Sequence, residues 1–314
     1  MGAIVLVGAL ILDLTVGEPP LPLHPVVWMG AFVDFFVARA PQKPAGRLIW
    51  GGLMVGLGVA VAFGAAWFVL WALQKALPLA AALVGMLLLK VTFAAGALGQ
   101  HARNVQRDLE RQELERARDG VQLLVSRPTA ELTERQLISA TVESVAENTL
   151  DSVIAPLFWF LLLGVPGAVA YRFVNTADAM VGYHGPYEHL GKAAARLDDA
   201  LNWVPARLAF LLIVAGSWLA GLKAGRAWSV GRRCRGLTES PNAGWTMSPA
   251  AGALAVPLEK VGHYALGEDE VRNLVPRKIG DAIALMYATT ALTVVAFGLL
   301  ALITPLGKLP WAAL

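Results

Sequence analysis

The chain has 314 residues, 56% of them hydrophobic and only 16% charged, where an ordinary soluble domain carries about 25% charged residues. With a mean hydropathy of +0.57, these figures exclude a disordered chain, a coiled coil and a disulfide scaffold, and they argue for a multi-span membrane protein with modest polar loops. The net charge of +3 makes no case for nucleic acid, and the one cysteine, Cys234, allows neither an intrachain disulfide nor a thiol-based zinc site.

A helix needs about 20 apolar residues to cross the hydrocarbon core. In chain order, the first candidate is a marginal span near 2–16, apolar up to Asp13 and without a basic leader or cleavage site. Gly17-Glu18-Pro19-Pro20-Leu21-Pro22-Leu23-His24-Pro25 then reads as a rigid, extended connector. Residues 48–74 carry no charge and are rich in glycine (Gly51, Gly52, Gly56, Gly58, Gly64), which suits close helix packing in lipid. Residues 76–99 are apolar apart from Lys90, which is either a functional intramembrane charge or a side chain that snorkels or faces a polar cavity. Residues 152–171 are charge-free but interrupted by Pro156, Gly164, Pro166 and Gly167; 204–222 is apolar after Arg207, and 282–307 forms the last span. Polar regions fall at 100–151, 172–203 and 223–281. The expectation is a single integral-membrane domain over 1–314, all-α, with about four to six membrane segments.

Lys and Arg are distributed unevenly. An alternating six-span arrangement puts 19 basic residues in cytoplasmic loops against five outside, as the positive-inside rule requires. Segments 152–171 and 204–222 must either both span or both be broken or re-entrant, and this decides which side 172–203 faces. Irregular backbone at membrane depth is allowed where protein or water surrounds it.

The polar regions hold the candidate chemistry. Charges alternate over 99–135, as on a solvated helix continuing from the second span, until Ser126-Arg127-Pro128-Thr129 breaks it. A helix from Glu131 then carries Glu143, Glu147 and Asp151 at four-residue intervals, one acidic stripe with no basic partner nearby in sequence. Like charges at that spacing repel. Magnesium with phosphate would neutralise them, since it takes one or two carboxylates plus phosphate oxygens and water; so would the helix dipole or distant arginines. Next come Tyr171-Arg172-Phe173-Val174-Asn175-Thr176-Ala177-Asp178, with Asn175 and Asp178 on one helical face, and a loop at Met180–His184. In Arg196-Leu197-Asp198-Asp199-Ala200-Leu201-Asn202, Asp198 and Asn202 are four residues apart. Capping by Asp and Asn explains one such cluster more readily than three in a row. Arg172, Arg196 and Arg207 either grip phosphate or carboxylate or balance the acids. Ser240-Pro241-Asn242-Ala243-Gly244-Trp245 is a turn signature. There is no P-loop, no His-Glu-x-x-His and no Gly-x-Ser-x-Gly.

The runs LDLTVGEPPLPLHPVVWMG (12–30), VESVAENTLDSVIAPLFW (142–159), YRFVNTADAMVGY (171–183), RLDDALNWVPARL (196–208) and SPNAGW (240–245) together resemble the CobD/CbiB family of cobalamin biosynthesis over roughly residues 3–290. One departure is Glu18, where the family pattern has aspartate. The resemblance implies an adenosylcobinamide-phosphate synthase. Such an enzyme joins a propionate carboxylate of adenosylcobyric acid to 1-amino-2-propanol, or its O-phosphate, as an amide, using ATP and magnesium. Within it, Glu143, Glu147 and Asp151 would hold magnesium, with Asp178 assisting. Asn148, Asn175, Thr176 and Asn202 would position substrate or phosphate oxygens. Asp198 or Asp199 would bind the ammonium or accept its proton, Arg172 and Arg207 would grip phosphate, and His24 and Asn242 would complete the pocket. The implied partners are the corrinoid, the amine, the bilayer of the cytoplasmic membrane and other late cobalamin-assembly enzymes, with no nucleic acid. Two other readings are an AmpE-like signalling or accessory protein, which should tolerate loss of the acidic stripe, and a transporter, which should carry its acids mid-span and often shows repeats.

Overall fold

The structure, a computed structural model, describes residues 2–183, 185–260, 262–267 and 274–303, with side chains through residue 300. His184, Lys308 and the end of the expected 282–307 span lie outside the described residues. Twelve α-helices are described: α1 (Gly2–Thr15), α2 (Pro25–Ala38), α3 (Pro44–Ala76), α4 (Pro78–Lys90), α5 (Ala95–Glu110), α6 (Leu114–Gln122), α7 (Glu134–Thr149), α8 (Ala155–Val181), α9 (Lys192–Leu219), α10 (Ala224–Cys234), α11 (Gly244–Leu254) and α12 (Arg277–Ile303). One small antiparallel pair, β1 (Leu258–Lys260) and β2 (Tyr264–Leu266), joins them. Five helical runs are long and apolar enough to cross a membrane: Pro44–Ala76, Pro78–Glu110, Glu134–Val181, Lys192–Leu219 and Arg277–Leu300. The protein is an all-helical membrane protein within the expected range of segments.

Local chemistry explains where helices begin and end. The region after Gly17 is not extended throughout. Leu21–Leu23 forms a 3₁₀ turn, and α2 follows. His24 starts α2 because its Nδ1 accepts the Val26 N–H at 3.2 Å, while Pro25 occupies the first turn, where its missing N–H costs nothing. The expected second span is interrupted where α4 ends at Lys90, and α5 then carries its last residues into the polar region. The Thr92 hydroxyl donates to the Leu89 carbonyl at 2.6 Å, competing with the helical bond. Thr133 and Gln136 form a reciprocal capping box that opens α7. Inside α8, Gly164 adopts φ 67° and ψ −165°, two residues before Pro166. This is where the proline-glycine interruption bends the helix, and only glycine takes that conformation without strain.

The described chain divides into two compact units. The first comprises α1–α4, α8, α9 as far as Asn202 and α12 from Val294. In lipid, helices gain little from burying apolar surface, so packing depends on close approach. Here α3 packs along α8, and a side chain at Gly58 would collide with the Phe173 ring, while one at Gly51 would collide with the Leu190 carbonyl. Gly52, Gly56 and Gly64 have open space, so only two of the five glycines create close contacts. Lys90 is 3% exposed, and its Nζ lies 2.6 Å from Glu18 Oε2 and 3.8 Å from Asp13 Oδ1. It is a buried, paired charge, as intramembrane cations usually are.

The second unit holds α5–α7 with the turn that follows α7, α9 from Trp203, α10, α11, the β pair and α12 up to Thr293. Its core gathers Val105, Leu137, Ile138, Ala251, Leu258 and Ile283. Helices α10 and α11 pack closely, since a side chain at Gly252 would strike the Arg226 carbonyl and one at Gly231 would crowd Pro249.

Candidate active site

In the first unit, the α8 and α9 motifs meet. Asp198 is buried, and its two oxygens accept from different carboxamides, Asn202 Nδ2 at 2.9 Å and Asn175 Nδ2 at 3.5 Å. Asn202 Oδ1 in turn accepts the Tyr171 hydroxyl at 2.9 Å, and Asn175 Oδ1 accepts from Arg172 Nη1 at 3.3 Å. The chain Tyr171–Asn202–Asp198–Asn175–Arg172 therefore crosses from one helix to the other and back. Four of its members are three or four residues apart in pairs, which is why each helix presents them together. Asp178 and Asp199 lie near enough to Asp198 for their charges to interact. Gly182 follows one turn after Asp178 because any side chain there would strike the Asp178 carboxylate. The Thr176 hydroxyl donates to the Arg172 carbonyl of its own helix at 2.8 Å.

His24 joins the first motif instead. Its Nε2 lies 3.0 Å from Glu18 Oε2, the carboxylate that also meets Lys90. Beginning at Pro25, an apolar cavity of about 360 Å³ opens among α2, α3, α4 and α8, lined by Trp28, Phe32, Val61, Leu88 and Phe173 among others. Its lining has no charged side chain, so it offers no grip for a phosphate or an ion.

In the second unit, Glu143 is enclosed. Its Oε1 accepts the Ser139 hydroxyl at 2.7 Å, and its Oε2 accepts the Tyr264 hydroxyl at 2.8 Å and Arg127 Nη2 at 3.3 Å. Burial, with the Glu143 charge next, raises the Tyr264 pKa above its ordinary value, so the phenol stays a donor. Ser139 Oγ also accepts the Glu259 N–H at 2.9 Å, and the two bonds together fasten the β pair to α7. Glu147 is half-buried and close enough to act on Tyr264 through its charge. Asn148 bonds its own helix, through Nδ2 to the Ser144 carbonyl at 3.0 Å and through Oδ1 from Ser152 at 3.3 Å. Asp151 sits in a π-helical turn, Leu150–Ile154, whose wider pitch breaks the strict four-residue stripe. Among the described residues, no group of three His, Cys, Asp or Glu side chains stands where it would hold one ion. Both Glu143 oxygens are engaged, by Ser139 on one side and by Tyr264 and Arg127 on the other. Arg207 donates to Asn242 Oδ1 at 2.7 Å, bringing together two residues 35 apart that the sequence placed in one pocket.

Several participants lie outside the expected set. Tyr171 sits in a motif already singled out, and Lys90 and Asp13 were visible as charges in apolar sequence. Arg127, Ser139 and Tyr264 carry no such signal: Tyr264 lies 121 residues from Glu143.

Comparison with known proteins follows the same motifs. The CobD/Cbib protein family profile matches residues 6–295. The chain is 43% identical to a cobalamin biosynthesis protein CobD of Dehalococcoides mccartyi over 279 residues, covering 88% of this chain and 90% of that one. It is 40% identical to a probable cobalamin biosynthesis protein CobD of Methanothermobacter thermautotrophicus, covering 96% and 98%. It is 36% identical to a cobalamin biosynthesis protein CbiB of Salmonella typhi, covering 92% and 94%. No solved structure matches. Coverage of nearly the whole chain, through all five motifs, means that this protein belongs to the CobD/CbiB family.

Proposed function

We propose that this protein acts in cobalamin biosynthesis as a membrane-embedded amide synthase, joining a carboxylate of adenosylcobyric acid to aminopropanol or its O-phosphate. The observation that carries this reading is the buried Asp198 held by two carboxamides. The two carboxamides fix the direction of the Asp198 carboxyl group, and a carboxyl group so oriented is placed to meet the substrate ammonium and receive its proton.

A carboxylate does not condense with an amine at useful rates in water. Phosphorylation by ATP forms a C–O–P bond and releases ADP; the amine nitrogen then attacks the acyl carbon, and phosphate leaves. Such chemistry calls for positioning and for positive charge around phosphate oxygens. Magnesium, when bound, supplies part of that charge, and Glu147 and Asp151 are the carboxylates that would hold it. Arg172 and Arg207 bind phosphate oxygens, Asn148, Asn175 and Asn202 orient substrate, and Asp198 with Asp199 and Asp178 binds the ammonium and receives its proton. Glu143, with both oxygens engaged, positions α7 against the β pair. The basic loops face the cytoplasm across the cytoplasmic membrane, where the corrinoid and later assembly enzymes would meet it.

The test is a mass-spectrometric assay of the purified protein with adenosylcobyric acid, ATP, magnesium and aminopropanol phosphate. ATP-dependent amide is expected. Its absence with folded protein, alternative amines and added lipid would overturn the reading. Glu147→Gln keeps shape and removes one charge, so a raised magnesium requirement is expected; unchanged turnover and magnesium dependence would sink the metal role.

A further inference from the structure

The second unit sets Arg207 in an arrangement whose other members the reaction as outlined does not use. The Arg207 guanidinium lies between two indoles, 4.5 Å from the Trp203 ring centre and 4.6 Å from that of Trp245. A second guanidinium, Arg235, lies 4.8 Å from the same Trp245 ring. Both arginines are therefore closer together than about 10 Å, the screening length at 0.1 M salt. Among the described residues, neither pairs with a carboxylate. Arg207 spends Nη1 on the Trp203 carbonyl at 2.9 Å and on Asn242 Oδ1 at 2.7 Å, and Arg235 spends Nη1 on the Arg232 carbonyl at 2.7 Å. Within the described residues, Nε and Nη2 of each make no bond.

We propose that Arg207 and Arg235, stacked on Trp203 and Trp245, form a binding site for a phosphate-bearing ligand. Three features point there. Two like charges held close together without an acid are a standing electrostatic cost, and a bound anion relieves it. A guanidinium held against an indole keeps its fork of N–H donors, and that fork matches phosphate oxygens in bidentate fashion. Asn242, 3% exposed, anchors Arg207 from the SPNAGW turn, so the cradle is built by three elements, α9, α10 and the start of α11. Trp203 is 55% exposed. Arginine with tryptophan is also the pairing found at membrane–water interfaces, so the phosphate has two sources, a soluble phosphate compound or a lipid headgroup. The inference rests on the phosphate role given to Arg207 above and adds Arg235 and the two indoles. It is read by binding, without turnover, so its failure is distinguishable from failure of the synthase reading.

The experiment uses the full chain purified in uncharged detergent, with inorganic tripolyphosphate as the soluble probe in equilibrium dialysis. In parallel, retention of phosphatidylglycerol over phosphatidylcholine is measured from mixed nanodiscs. Arg235→Gln should weaken the preferred ligand about tenfold, the loss expected for one charge-assisted contact. Arg235→Lys keeps the charge but loses the fork and should give a smaller, clear loss, which serves if the glutamine variant folds poorly. Arg116→Gln, a change at an arginine 71% exposed and paired with Glu113, is the control and should change nothing. Arginine-235-dependent binding of tripolyphosphate identifies a soluble ligand; the same dependence for phosphatidylglycerol alone identifies a lipid headgroup. No binding in either arm, or equal losses in the Arg235 and Arg116 variants with melting temperatures preserved, would overturn the proposal.

Discussion

Glu143 and Asp198 are both buried carboxylates on long helices, and their surroundings differ in kind. Glu143 meets a guanidinium and two hydroxyls, with both oxygens engaged. Asp198 meets two carboxamides, themselves tied to Tyr171 and Arg172. A cation neutralises an acid, whereas amide dipoles only orient it. The first arrangement therefore fastens elements together, and the second holds a carboxyl group in one orientation between two helices. Acids that look alike in sequence are separated by what stands opposite them.

The largest effect expected from this contrast is on turnover. Asp198→Asn keeps the shape and an acceptor oxygen but removes the oxygen that can take or give a proton. Amide formation should fall about 100-fold or more, the range for losing a positioned acid–base group, while the melting temperature in detergent stays close to that of the parent. Unchanged turnover would break the contrast on the Asp198 side.

On the Glu143 side the expected loss is stability. Glu143→Ala leaves Arg127, whose side chain is 22% exposed, without its anion. Removing one partner of a buried pair costs about 3 kcal/mol, discounted here for Arg127's partial exposure. Thermal unfolding should register a loss larger than that of Asp198→Asn, and an Asp198→Asn loss of equal size would make the two acids equivalent after all.

Tyr264→Phe is the finest probe. It removes one hydrogen bond to a charged group, worth about 1.5 kcal/mol. Combined with Glu143→Ala it should add little, because both changes delete the same contact. The Tyr264 pKa is raised on folding from its ordinary 10.0. Its contribution is thus complete below about pH 10 and is lost as the pH rises above that value. The parent protein should show that alkaline slope, and Tyr264→Phe should flatten it.

Much of the candidate site was legible because its residues are close in sequence. Asn175 and Arg172, and Asp198 and Asn202, are three or four residues apart, and a helix necessarily stacks them on one face. Their shared motifs pointed to one pocket, and α8 and α9 do join through Asn175 and Tyr171. Arg207 and Asn242 were also named together and do meet. The partners of Glu143 were not legible, because Arg127 lies across a helix break and Tyr264 sits on a short strand whose position only the folded chain defines. The same reason hides the neutralisation of the acidic stripe. Sequence shows the repulsion at Glu143 but not the guanidinium that removes it.

The sequence by itself determined the solvent and the building blocks: charge-free stretches about as long as a bilayer is thick must become helices, since no other single segment satisfies its backbone in lipid. It also determined the family, through five motifs in order. Only the tertiary structure decided what each buried charge faces, that Lys90 pairs with Glu18 and Asp13, that Glu143 is neutralised while Asp198 is merely held, and that two arginines share one indole. Those are distances between residues far apart in the chain, and local pattern cannot encode a partner that arrives from another helix.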